Sequence, residues 1–86
     1  MHSVTGLCRK LVKSEEFTLD EHVYPVHYYV ERTLRGVRRY SSEIVLSPAD
    51  RVILDDDSMV SLESKVARLV PASIYSRLLA ARATAA

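Results

Sequence analysis

The pattern of apolar and polar residues predicts β-structure in the middle of the chain. From Tyr24 to Glu31, the even-numbered positions are Tyr, Val, Tyr and Val, and the positions between them are more polar. Alternation with period two, in a segment rich in β-branched and aromatic residues, indicates a strand with one buried face. We therefore expect the even-numbered side chains of this segment to point into the core.

Two further strands are predicted after this one. The range Val37 to Leu46 also alternates, and Gly36 before it can adopt the positive φ that a short hairpin loop requires. Ser47 to Asp50 contains a proline and an aspartate and predicts the next turn. Arg51 to Leu54 is short and largely apolar. Together these segments predict a three-stranded antiparallel meander.

Apolar residues with helical spacing occur both before and after the predicted strands in the sequence. Val4 to Val12 carries apolar residues at intervals of three and four, which predicts a short N-terminal helix. Asp57 or Ser58 can cap a C-terminal helix. Pro71 is expected to break this second helix because proline lacks the backbone N–H and clashes with the preceding turn. The predicted inner stripe of the helix is Met59, Leu62, Val66 and Leu69.

The predicted fold class is α+β, with a short N-terminal helix, a three-stranded antiparallel meander, and a C-terminal helix packed on one face and broken at Pro71. With 86 residues the chain forms a single small domain, residues 1–86. The sequence leaves open whether residues 1–21 are ordered, and the Ala-rich residues 80–86 are expected to fray. From the strands, the predicted core includes Tyr24, Val26, Tyr28, Val30, Ile44, Leu46, Val52 and Leu54.

Composition narrows the compartment. A single cysteine, Cys8, cannot form a disulfide within the chain, which favours a reducing environment. The sequence has no secretory signal and no apolar run near the ~20 residues of a membrane span. We therefore expect a cytoplasmic protein with no membrane association. A net charge of +1 gives no overall attraction to nucleic acid.

The sequence lacks a recognisable arrangement for catalysis or cofactor binding. The acidic triplet Asp55 to Asp57 has no spaced distal carboxylate, so helix capping explains it better than a metal site. On one strand, His22 and His27 have opposite parity and would face opposite sides. Gly-rich phosphate loops and nucleophile elbows are absent. We therefore predict no enzymatic activity, no metal site and no cofactor.

Two surfaces are candidate binding sites. The first is the outer face of the sheet with its hairpin, where four arginines fall within eight residues. Its candidate residues are His27, Tyr29, Arg32, Arg35, Arg38 and Arg39. A solvated face with cross-strand ion pairs would explain the same residues. The second surface is an apolar stripe for self-association, formed by Ile74, Tyr75, Leu78 and Leu79.

The sequence alone does not determine the function. The favoured hypothesis is a small non-catalytic protein-interaction or regulatory module, with an unidentified protein partner or with a second copy of the chain. A homo-oligomer would form through a sheet edge or through the apolar stripe. The alternative is a weak nucleic-acid-binding domain that uses the hairpin arginines.

Overall fold

The computed structural model describes residues 8–85, which form a four-stranded antiparallel sheet followed by one helix. The strands are β1 (Cys8–Leu19), β2 (His22–Arg32), β3 (Arg38–Ser47) and β4 (Asp50–Asp56), and the helix is α1 (Met59–Ala85). The strand order is β1-β2-β3-β4, so each strand pairs with its neighbour in the chain. Helix α1 packs on β3 and β4 and covers one face of the sheet, called here the inner face.

Strands β2, β3 and β4 correspond to the three predicted strands, and the α+β class is confirmed. Val26 and Tyr28 are buried on the inner face, as their parity predicts. The β2–β3 loop depends on Gly36, which has a φ of 81° and donates its N–H to the Thr33 carbonyl over 2.8 Å. The predicted hairpin therefore forms where a residue that tolerates positive φ is available.

The first strand, β1, corrects the predicted N-terminal helix. Residues 8–19 pair with β2 along its length. A helix of about ten residues is marginal alone, whereas pairing with β2 satisfies the backbone and brings Phe17 and Leu19 against the core. The apolar spacing of this segment covers too few helical turns to distinguish a helix from a strand. Residues 1–7, where the predicted helix begins, lie outside the described residues.

Strand β1 contains a bulge at Val12. The register passes from Leu11 directly to Lys13, which leaves Val12 as an extra residue. One extra residue reverses the alternation of side chains along a strand. Lys10, which lies opposite Val30, therefore shares the inner face with Lys13 although the two are three residues apart.

A two-residue turn joins β1 to β2. Asp20 and Glu21 both have positive φ, 50° and 68°, and the flanking Leu19 and His22 are paired across the hairpin. Two central residues with positive φ match the right-handed twist of the two strands. Because neither residue is glycine, this left-handed conformation is energetically unfavourable for both.

The core lies between the inner face and α1. Its buried residues are Val26, Tyr28, Ile44, Leu62, Val66, Val70 and Ile74. Partly buried residues pack around them at the margins: Phe17, Leu19, Tyr24, Tyr40, Leu46, Val52, Leu54 and Met59. The helix thus supplies four of the buried side chains, and the two central strands supply the others.

Helix α1 runs unbroken for 27 residues with Pro71 inside it, which corrects the predicted break. Its buried side chains recur every four residues on both sides of the proline, at Leu62, Val66, Val70 and Ile74. An internal proline costs roughly 3 kcal/mol, and we attribute the continuity of α1 to the packing of this stripe on the sheet. Leu69, predicted to be buried, is 37% exposed because the stripe passes through Val70 instead.

Candidate functional surfaces

The outer face of the sheet carries His27 and Tyr29, as predicted, and both are engaged with neighbours. The Ser14 hydroxyl lies 2.9 Å from His27 Nδ1. The Arg9 guanidinium lies 3.8 Å from the centre of the Tyr29 ring and 3.9 Å from a carboxylate oxygen of Glu31. Cation–π and ion-pair contacts of this kind stabilise the face itself. The described side chains here are therefore tied to one another across β1 and β2.

The register of the β2–β3 hairpin extends these contacts. His27 lies opposite Glu43, and Glu31 lies opposite Arg39. Glu43 accepts a hydrogen bond of 2.7 Å from Arg51, and this contact lowers the pKa of the Glu43 carboxyl. Ser41 is buried and donates to Glu31 over 2.8 Å. The charges on this part of the outer face are thus largely compensated within the sheet.

The four hairpin arginines do not form one surface. Arg39 projects on the outer face and binds Asp55 over 2.9 Å and also Asp57, and the hydrogen bond to Asp55 raises the pKa of its guanidinium. Arg32 and Arg38 lie directly opposite each other on the inner-face parity of Tyr28 and Tyr40. Arg35 is exposed in the loop. Adjacent arginines in the sequence are therefore separated by the alternation of the strand.

A concave site of about 400 Å³ lies at the hairpin end of the inner face. It will be called the basic pocket, and it is lined by Lys10, Val12, Val30, Glu31, Arg32, Arg38 and Tyr40. Lys10 and Val12 come from the part of β1 that the sequence assigned to a helix. Sequence reasoning missed them because only the pairing of β1 with β2 brings Lys10 beside the hairpin.

A second polar cluster lies on the inner face of β1, beside the core residue Tyr28. Lys13 pairs with Glu63 of α1 and, at 3.3 Å, with Glu15, and its ammonium lies 4.9 Å from the centre of the Tyr28 ring. The bond to Glu63 raises the pKa of Lys13. Burial, together with the Glu15 carboxylate, raises the pKa of Tyr28 to about 12. This cluster links β1 to α1, which otherwise packs on β3 and β4.

The acidic residues before α1 organise its first turn. Ser58 caps the helix, because its hydroxyl accepts a 3.0 Å hydrogen bond from the Ser61 backbone N–H. The Ser61 hydroxyl, the Lys65 ammonium and the Asp57 N–H hold the pKa of Asp56 at about 2. Across the described residues, no cluster of three or more His, Cys, Asp or Glu side chains has a geometry suited to a metal ion.

The four residues of the predicted self-association stripe separate into two groups. Ile74 is 3% exposed and belongs to the core. Tyr75, Leu78 and Leu79 are 63%, 46% and 47% exposed. Leu78 continues the four-residue spacing of the buried stripe but lies one turn beyond Ile74, the last buried residue of the helix, and Tyr75 and Leu79 lie off the stripe. The candidate surface therefore consists of Tyr75, Leu78 and Leu79.

Comparison of the chain with family models, with curated proteins and with solved structures finds no match. Among the described residues, α1 is not apolar enough along its length to cross a membrane, and no other helix is present. The basic pocket and the exposed C-terminal part of α1 are the two candidate binding sites among the described residues.

Proposed function

We propose that the protein is a small non-catalytic interaction module that self-associates through the C-terminal part of α1. The observation that carries this proposal is the extension of the helix beyond the core. Ile74 is the last buried residue, and the described side chains from Tyr75 to Ala83 are all exposed. At 1.5 Å per residue, this stretch is roughly 13 Å of helix with exposed side chains.

This overhang has a fixed starting point. Arg77 donates to both carboxylate oxygens of Asp50, over 2.6 and 3.2 Å, at the first residue of β4. The pair lowers the pKa of Asp50. On either side of this contact along the helix, Tyr75 is 63% exposed and Leu79 is 47% exposed. Isolated helical segments of this length are marginal in water, so a covering partner would stabilise the end of α1.

A second copy of the chain is the partner that the surface fits best. A two-fold interface must be self-complementary, with projecting and concave parts on the same patch. Leu78 borders a small concavity of about 210 Å³ together with Tyr24 and Leu46, while Tyr75 and Leu79 project beside it. The net charge of +1 opposes association only weakly.

The test is the mass of the full chain in solution. Light scattering coupled to size exclusion, over a concentration series, is expected to give a mass that rises from 9.7 kDa towards twice that value. Leu78→Glu and Leu79→Glu are expected to keep the protein monomeric at concentrations where the wild type is dimeric. Val60→Glu is the matched control, because Val60 is 79% exposed on the same helix but lies far from the overhang.

The proposal fails if the wild type stays monomeric at the highest concentration. It also fails if the Leu78 and Leu79 variants associate as strongly as the Val60 variant. Circular dichroism of all three variants checks that a change in mass does not reflect unfolding.

A further inference from the structure

The strands carry seven lysines and arginines, and their ion pairs divide them into two sets. One set has carboxylate partners: Arg9, Lys13, Arg39 and Arg51. The other set has no ion pair within the described residues and consists of Lys10, Arg32 and Arg38. All three members of the second set line the basic pocket. Unpaired positive charge in the sheet is thus concentrated at one concave site.

The arrangement of these three cations is unfavourable without a counter-charge. Arg32 and Arg38 lie directly opposite each other across β2 and β3. Like charges directly opposite each other on neighbouring strands destabilise a sheet, whereas opposite charges at such positions stabilise it. Lys10 lies opposite Val30 and so is the diagonal neighbour of Arg32. Diagonal neighbours lie roughly 7–8 Å apart. An anion held between the three side chains would replace repulsion by attraction.

Among the described lining residues of the pocket, Glu31 is the one carboxylate, and it is engaged elsewhere. Glu31 accepts a hydrogen bond of 2.8 Å from Ser41 and lies 3.9 Å from Arg9. Both partners lie on the outer side of the sheet. Glu31 is therefore directed away from the three unpaired cations and does not neutralise them.

The rest of the described lining is mainly apolar and consists of Val12, Val30 and Tyr40. A volume of about 400 Å³ lies within the range of small-molecule sites. Guanidinium groups suit carboxylate and phosphate oxygens, which they can bind through two parallel hydrogen bonds. A site lined by both cations and apolar side chains suits a ligand that has an anionic group and an apolar part.

We propose that the basic pocket binds a small amphipathic anion, with its carboxylate or phosphate on Arg32, Arg38 and Lys10 and its apolar part on Val12, Val30 and Tyr40. The pocket is a separate site from the overhang of α1. Its ligand occupancy and the self-association of the chain can therefore be measured independently.

The probes are octanoate, octyl phosphate, octan-1-ol and inorganic phosphate, each titrated into the full chain by isothermal calorimetry below micellar concentrations. We expect octanoate or octyl phosphate to bind, and the preference between them identifies the anionic group. Octan-1-ol and inorganic phosphate, which each supply one half of the ligand, are expected to bind at least about tenfold more weakly. Amide shifts in a labelled sample should concentrate at the lining residues of the pocket.

Variants separate the pocket from the general positive charge of the hairpin. Arg32→Gln and Arg38→Gln are each expected to weaken binding by about tenfold or more. Arg35→Gln is the matched control, because Arg35 is an exposed arginine of the same hairpin that does not line the pocket. The affinity of the Arg35→Gln variant for the octyl anion should equal that of the wild type.

Several results would overturn this proposal. One is the absence of heat and of amide shifts with both octyl anions. Another is equal weakening by Arg35→Gln and Arg38→Gln, since that would indicate diffuse charge rather than a pocket. A third is the displacement of the octyl anion by a short single-stranded oligonucleotide whose affinity falls in the Arg35→Gln variant. That result would indicate that the hairpin binds nucleic acid.

Discussion

Replacing Ser42 by alanine is expected to stabilise the fold, although the residue lies at its centre. Ser42 is 0% exposed on the inner face, opposite Tyr28 and Leu54, and its hydroxyl has no hydrogen-bond partner among the described residues. A buried hydroxyl without a partner costs roughly 1–3 kcal/mol of desolvation free energy. Removing the oxygen relieves this cost but also leaves a small void, and the packing lost there cancels part of the stabilisation. A net stabilisation of about 1 kcal/mol is expected.

The adjacent residue provides a matched control with the opposite sign. Ser41 is 6% exposed, and its hydroxyl donates to Glu31 over 2.8 Å on the outer side of the same strand. Ser41→Ala removes a charge-assisted hydrogen bond and should destabilise the protein by about 1–2 kcal/mol. The change in strand propensity from serine to alanine is common to both variants. The opposite signs expected for the two variants therefore reflect whether the buried hydroxyl has a hydrogen-bond partner.

Urea denaturation followed by circular dichroism measures both effects. In a domain of this size, 1 kcal/mol corresponds to roughly 4–8 °C in the melting temperature. Ser42→Ala should raise the urea midpoint and Ser41→Ala should lower it, with the slope of the transition unchanged. If Ser42→Ala proves as destabilising as Ser41→Ala, the Ser42 hydroxyl contributes a favourable interaction and the reasoning is wrong.

Two further changes test the β1–β2 turn and the start of α1. Glu21→Gly should stabilise the protein by about 0.5–1 kcal/mol, because a φ of 68° is left-handed and glycine adopts it freely. Glu21→Ala keeps the strain and should bring little gain in the same urea assay, so equal gains would point to the lost charge. The second change is Asp56→Asn. The pKa of Asp56 is lowered from 3.8 to about 2, so its contribution to stability is present above 3.8 and is lost as the pH falls towards 2. The free energy of unfolding of the wild type should therefore exceed that of Asp56→Asn near neutral pH, and the gap should narrow as the pH falls from 4 to 2. A gap that stays constant over this range would contradict the argument.

The middle of the chain could be predicted from sequence because two independent signals agree there. The alternation from Tyr24 to Val30 places one face inward, and Gly36 provides the loop that lets the next strand return. The N-terminal segment lacked this agreement. Its apolar spacing fits a short helix, and only the pairing with β2 decides in favour of a strand.

The candidate sites were predicted only in part, for reasons of side-chain direction. Arg38 and Arg39 are adjacent in the sequence but project to opposite faces, and of the two only Arg39 has a carboxylate partner within residues 8–85. Lys10 became part of the basic pocket because of the bulge at Val12, which the sequence did not signal. Likewise, Ile74 and Tyr75 are neighbours on a helix, but one is buried and the other is exposed.

The ion pairs at the two ends of β4 have a mechanical consequence. Lys65 binds Asp56 at the end of the strand, and Arg77 binds Asp50 at its start. The twelve residue steps of helix from Lys65 to Arg77 span about 18 Å. The six residue steps of the strand between the two aspartates span about 20 Å. Because these lengths are similar, the two ion pairs can hold α1 along the whole of the edge strand β4. Force applied at Leu78 or Leu79 would therefore be transmitted to β4.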